Sequence, residues 1–292
     1  SQKMLSENGN NNIDFIIKDE TKEVIAINEQ KEVALKLLNE TKEKELMAQL
    51  SLLEKNQKIQ LLAKINHEVR TPLNSILMFQ QMIEDDLLHS MDEVKKYSKS
   101  VKTAIGHLLN TISNFIDYAK IETGRIEKEI DIFNIQEEIE DIIQLLKPLA
   151  TGKDIDLSLT IEYSSKILAY SDRNKYRQII INLIANSIKF TRKGCIKVIL
   201  NNKHIQDDQY EIITVIEDTG IGIAKDKLND IFNPFASFNE DHSERYSSGL
   251  GLAICKEFIQ MLEGKIDVSS TVEQGTQFVV IIPYEYDFSQ KK

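Results

Sequence analysis

The 292 residues are 41% apolar with only 4 Pro and 11 Gly, a composition that excludes a disordered chain and is long enough for about two domains. The 46 acidic residues against 36 Lys and Arg give a formal charge of -10, which argues against a broad nucleic-acid-binding face, so an anionic nucleotide has to be met by a local lysine or by Mg²⁺. Cys195 and Cys255 stand far apart without metal-ligand spacing, which argues against a disulfide framework or a zinc site and fits a reducing, cytoplasmic compartment. No apolar run reaches the ~18 residues of a membrane span, and Ser1-Gln2-Lys3-Met4 lacks a signal pattern. A soluble segment of a longer chain is expected, its sensor or membrane segment lying upstream.

Residues 1–31 read as a leader, polar and Asn-rich at first, with a short strand-like stretch at Ile13, Phe15 and Ile16. From about Glu32 to Leu88 no Gly and a single Pro occur, and Leu35, Leu38, Leu46, Leu50 and Leu53 recur at three- and four-residue spacing. That predicts a long amphipathic helix needing a partner for its stripe. A polar break at His89–Asp92 precedes a second helix over 91–122, closed by Gly124. Two antiparallel helices with one apolar seam predict half of a four-helix bundle, completed by a homodimer.

After a linker at 125–130 the texture becomes mixed: a helix near 134–147 stopped by Pro148, a strand near 155–161 and a helix near 172–190 capped by Asp172 or a neighbour. Strands near 195–201 and 210–217 follow, then a glycine-containing loop, a helix near 250–262, and strands near 265–270 and 276–283. Residues 131–286 are therefore expected to form an α+β sandwich domain, with 287–292 a polar tail.

Within the long helix lies His67-Glu68-Val69-Arg70-Thr71-Pro72-Leu73-Asn74, with His67 and Thr71 on one face. Pro72 removes the bond that would close on the Glu68 carbonyl and predicts a bend just after the histidine. An imidazole attacks phosphorus only through an unprotonated nitrogen, and Glu68 can serve as orienter or general base. The helix near 172–190 carries Asn182 and Asn186 four apart, followed by Lys189 and Phe190. A carboxamide oxygen suits Mg²⁺, a lysine suits phosphates, and a purely structural Asn pair stays an alternative. Glycines cluster at Asp218-Thr219-Gly220-Ile221-Gly222, at Ser248-Gly249-Leu250-Gly251 and at Gly275-Thr276. Of these, Gly249-Leu250-Gly251 runs into a helical pattern and can present amides to an anion. No P-loop pattern is present.

In order and spacing these motifs resemble the histidine kinases of two-component signalling over roughly residues 55–285. The resemblance implies a dimerising helical hairpin followed by an ATP-binding domain of the histidine kinase/Hsp90-like type. It implies that His67 accepts phosphate, that Glu68 assists, and that Asn186 holds Mg²⁺ with Asn182 nearby. By the same likeness Lys189 reaches phosphates, Phe190 or its neighbours pack on adenine, and Asp218 accepts the adenine amino hydrogen. Gly220, Gly222, Ser248, Gly249, Leu250, Gly251 and Thr276 would complete the ATP site, and Ile231–Phe235 resembles the family's lid motif. Thr71 would orient water in dephosphorylating a response-regulator receiver domain, either separate or fused downstream. Ser247 and Glu273 depart from the family's glycine boxes, which leaves a weakly active dimeric scaffold or a conformational ATPase as the alternative.

Overall fold

The computed structural model of the chain describes residues 4–163, 168–206, 209–234, 236 and 249–286; in the first helix, side chains are described only from residue 36 onward, with residues 38, 53, 54, 56–58, 60 and 61 excepted. The chain divides into two units, Ser1–Ala63 and Lys64–Lys292.

The first unit is described as helical backbone from Met4, the start of α1 (Met4–Glu84). This corrects the expected leader strand around Ile13–Ile16. A strand needs a neighbour to satisfy its backbone groups, whereas a helix satisfies them internally. Leu37, Leu46, Met47 and Leu50 stand exposed along this helix.

In the second unit the end of α1 turns at Asp86 (φ 51°) into α2 (Met91–Glu122). Ser90 starts α2 with a reciprocal box: the Glu93 amide donates to Ser90 Oγ, and the Ser90 amide donates to the Glu93 carboxylate, both at 3.2 Å. Phe79 stacks on Tyr97 across the turn, ring centroids 6.0 Å apart. Leu73, Leu77, Leu109, Ile112 and Ile116 remain exposed, so the expected apolar seam is present and uncovered in the single chain.

Beyond Gly124 come β1 (Asp131–Asn134), α3 (Ile135–Thr151), β2 (Ile155–Ile161), β3 (Leu168–Ser171) and α4 (Arg173–Phe190). They are followed by β4 (Gly194–Gln206), β5 (Gln209–Asp218), α5 (Gly251–Met261), β6 (Lys265–Thr271) and β7 (Gly275–Tyr286). The strands form a seven-stranded sheet in the order β1-β3-β7-β5-β4-β2, with β6 also paired to β7. Every pairing is antiparallel except β2 with β4.

Alternation in β5 buries Ile212, Thr214 and Ile216 on one face. Against that face pack fully buried Ile139 and Ile142 of α3, Ile179, Ile180, Leu183 and Ile184 of α4, and Ile254 of α5. Each such side chain contributes about 1.5–3 kcal/mol by leaving water, which makes this helix-on-sheet core the main source of stability. The buried Glu138 carboxylate is held by Arg173 and Arg177 of α4, tying α3 to α4.

Two details differ from the sequence expectation. Pro148 lies inside α3, which continues to Thr151, because losing one bond in a final turn is tolerable while Ala150 and Leu146 stay buried. The strands β1 and β3 were not anticipated: four residues each, they carry too short a pattern to stand out from loop.

Tyr176 of α4 reaches through the core to Thr214 of β5, hydroxyl to hydroxyl at 3.0 Å. Tyr176→Phe leaves Thr214 buried without its partner and lowers domain stability by about 1–2 kcal/mol, whereas Tyr176→Phe combined with Thr214→Val recovers most of that loss. Urea denaturation of the single and double variants measures the difference.

Candidate active site

His67 sits on an exposed face of α1. The Thr71 hydroxyl donates to the His67 carbonyl at 3.1 Å. Glu68 is half-buried; burial pushes its carboxyl pKa up against the opposing pull of Lys64, His67 and Lys189. A carboxylate of raised proton affinity is a better base near neutrality than an ordinary one. Lys189, at the end of α4, also bears on His107 of α2, whose imidazole is lowered by burial first and by the Lys189 charge second. The end of the Asn-bearing helix is thus electrostatically coupled to both helices of the hairpin, beside the histidine.

At the sheet end, one carboxylate gathers the scattered motifs. Asp218 Oδ2 accepts from the Ser187 hydroxyl at 2.9 Å, while Oδ1 accepts from the Gly220 amide at 2.9 Å and the Thr276 amide at 3.2 Å. Around it the backbone is packed too closely for side chains. A Cβ at Gly275 (φ +117°) would lie 1.8 Å from the Asp218 carbonyl, and one at Gly222 (φ +68°) would lie 2.1 Å from the Thr271 carbonyl. Gly220 would meet the Phe190 carbonyl at 2.7 Å, and the Ile221 amide donates to that same carbonyl. Ser270 stitches the third glycine segment in, donating to the Gly275 carbonyl at 2.8 Å and accepting from the Ile223 amide at 2.8 Å.

Asn182 and Asn186 lie partly buried on α4, and among the described residues Asn182 Nδ2 has no hydrogen-bond partner although it is buried. Its neighbour is Cys255, a thiol pushed up to about 12 by burial and therefore a packing residue, as expected for a free buried cysteine. Gly251, the first residue of α5, lies within 3.9 Å of the Asn182 side chain, measured from where its Cβ would be. The preceding Leu250 is buried, and among the described residues no side chain caps the first turn of α5, which starts beside Asn182. Unused donors at a helix N-terminus suit phosphate oxygens. Lys189 lies over the Phe190 ring, 5.1 Å from its centroid. Lys153 Nζ caps the far end of α4, donating to the Ile188 and Lys189 carbonyls at 3.0 Å each.

Of the lid motif, Ile231 is buried, Phe232 packs on the core and Lys256 lies over its ring at 6.0 Å. Ser248, Ser247 and Phe235 lie outside the described residues. Among the described residues, no group of three or more His, Cys, Asp or Glu side chains is placed to hold a metal. No described helix is long and apolar enough to cross a membrane. Sequence reasoning missed Ser187, Ser270 and Lys153, which act through backbone and carboxylate contacts that no local pattern announces.

Residues 57–124 match the model of the His Kinase A phospho-acceptor domain, and residues 171–286 match that of the Histidine kinase-, DNA gyrase B-, and HSP90-like ATPase. The chain is 32% identical over 76% of its length to the autoinducer 2 sensor kinase/phosphatase LuxQ of Vibrio parahaemolyticus and spans 26% of that protein. It is 33% identical over 78% of its length to histidine protein kinase 1 of Candida albicans, spanning 9% of it. Among solved structures it resembles full-length ShkA in complex with AMPPNP, with a TM-score of 0.56 at 25% identity, covering 78% of this chain and 46% of that one. The Acinetobacter baumannii histidine kinase AdeS shares the fold with a TM-score of 0.56 at 23% identity, covering 74% of this chain and 96% of that one. A phospho-acceptor hairpin followed by an ATPase-like sandwich defines a two-domain signalling core. The chain belongs to the sensor histidine kinases.

Glu273 occupies a left-handed conformation (φ 62°) while its amide donates to the Ile221 carbonyl at 2.8 Å. Glu273→Gly removes that strain and raises stability by about 1 kcal/mol, whereas Gly275→Ala forces the Asp218 loop apart and abolishes nucleotide binding. Thermal melting and nucleotide titration of the two variants check both.

Proposed function

We propose that the chain autophosphorylates on His67 with ATP and then passes the phosphoryl group to an aspartate of a response-regulator receiver domain. The observation that carries this reading is the Asp218 carboxylate, joined to Ser187, Gly220 and Thr276 in the unit whose Lys189 bears on Glu68 beside His67.

In this reading Asp218 accepts the adenine amino hydrogen, Phe190 packs against the base, and Gly220 and Gly222 let the loop approach it. The Gly251 turn with Gly249, Leu250 and Ser248 receives phosphates, Thr276 supports Asp218, and Lys189 neutralises charge. Asn186, with Asn182 alongside, would hold Mg²⁺, which when bound offsets charge on the phosphate oxygens. An unprotonated nitrogen of His67 attacks the γ-phosphorus, the bond to the bridging oxygen breaks, and ADP leaves. Glu68 orients the imidazole and takes its proton. Positioning and charge neutralisation supply most of the rate, because phosphoryl transfer asks little covalent help from the protein.

The exposed seam of Leu73, Leu77, Leu109, Ile112 and Ile116 supports a homodimer through the hairpin, since such a stripe is costly to leave in water. The kinase/phosphatase relative supports a second role, with Thr71 orienting water against a phosphorylated receiver domain.

Incubation with γ-labelled ATP and Mg²⁺ yields label that is acid-labile, base-stable and absent from His67→Gln. No label despite ATP binding would identify a nucleotide-binding scaffold instead. Glu68→Gln lowers the rate about 100-fold or more with little change in KM. Asp218→Asn weakens ATP binding by about 10- to 100-fold, the worth of one charged hydrogen bond.

A further inference from the structure

Residues 125–130 link hairpin to sandwich, and their contacts divide sharply. The Gly124 amide donates to the Ile121 carbonyl and the Arg125 amide to the Lys120 carbonyl, each at 2.9 Å, so the chain up to Arg125 belongs to α2. From Ile126, which packs on the core, onward it belongs to the sandwich. Lys175 Nζ donates to the Glu127 carbonyl at 2.7 Å, and the Glu129 amide donates to Asp172 Oδ2 at 2.8 Å. Lys128 pairs with Glu263 at 2.9 Å. Glu263 makes that pair from a left-handed turn (φ 59°) after α5, a conformation that glycine would adopt with less strain.

Asp172 and Lys175 are 0% and 8% exposed and bond each other at 2.6 Å, and Asp172 Oδ1 also caps α4 through the Lys175 amide at 3.0 Å. Buried charges of this kind persist only when paired and fully hydrogen-bonded, and here part of that bonding is supplied by the linker backbone. Releasing the linker would cost that buried pair two of its hydrogen bonds, so the attachment is firm. The seam that holds the sandwich against α2 is slighter: Gln178 Nε2 donates to Asp117 Oδ2 at 2.8 Å, and Tyr118 and Ile121 pack on the core.

We propose that Asp172 and Lys175 are positioning residues for phosphoryl transfer: by fixing residues 127–129 to the sandwich they confine the domain's swing to the step from Arg125 to Ile126. The role rests on the reading of His67 as phosphoacceptor. A short pivot keeps the ATP site on a narrow arc past His67, whereas a six-residue tether would dilute it over many orientations.

Limited trypsin digestion of the chain tests the pivot directly, since Arg125 and Lys128 flank the division. Cleavage after Arg125 precedes cleavage after Lys128. Equal rates at the two sites overturn the proposal. Two variants test the positioning: Asp172→Asn with Lys175→Met removes both buried charges, and Glu129→Pro removes only the linker amide and leaves the pair intact. Melting curves establish that each is folded. In both, binding of a fluorescent ATP analogue stays within about twofold of the parent while kcat for phosphohistidine formation falls about tenfold or more; in the charge-removed variant, where residue 129 is still glutamate, cleavage after Lys128 also accelerates. Unchanged kcat in folded Glu129→Pro overturns the positioning role. A parent chain that forms no phosphohistidine overturns the reading of His67 and with it that role, while the trypsin pattern still decides where the chain turns.

Discussion

The sandwich's working end depends on how the lone pairs of one carboxylate are shared. Asp218 closes β5, and its two oxygens accept from α4, from the glycine turn that follows and from the start of β7. Segments separated by dozens of residues are thereby held to one point. The close backbone packing at Gly220, Gly222 and Gly275 follows from this convergence, because three chain segments cannot reach one carboxylate with Cβ atoms between them. The helix-on-sheet core supplies the energy that makes such crowding tolerable. Asp218 supplies the geometry.

The hairpin is organised on the opposite principle. Its helices satisfy their own backbone groups and leave an apolar seam open, so its final form depends on a second surface. The sandwich is complete in itself. The two are joined by a linker whose residues 127–129 are bonded to the sandwich, so under the proposed reading the placement of His67 relative to the sandwich would be set at the start of that linker.

Much of this was legible in the sequence. The two hairpin helices, their seam, the break at His89–Asp92, the stop at Gly124 and the Asp172 cap follow from periodicity and capping rules that act within a few residues. The sandwich layers and the long strands followed from alternation. Short or conditional features escaped: β1 and β3 gain their order only from neighbouring strands, and Pro148 is carried by the buried residues on either side of it. The bonds that fix the linker at 125–130 were not legible, because nothing local marks Glu127 and Glu129 as partners of residues more than forty positions away. The motif residues were recognisable by type and order, while the convergence on Asp218 is a property of the folded sheet.

The lysine that covers the far end of α4 bears on how an acidic chain receives a polyanion. A helix of 18 residues ends in bare carbonyls equivalent to roughly half a negative charge, and α4 ends next to Phe190 and the glycine turn. Lys153 covers the Ile188 and Lys189 carbonyls and offsets that negative pole. Among the described residues, no side chain caps the start of α5. Under the proposed reading, a chain of formal charge -10 would meet an anion here with one negative helix end masked by a lysine, without making its surface basic.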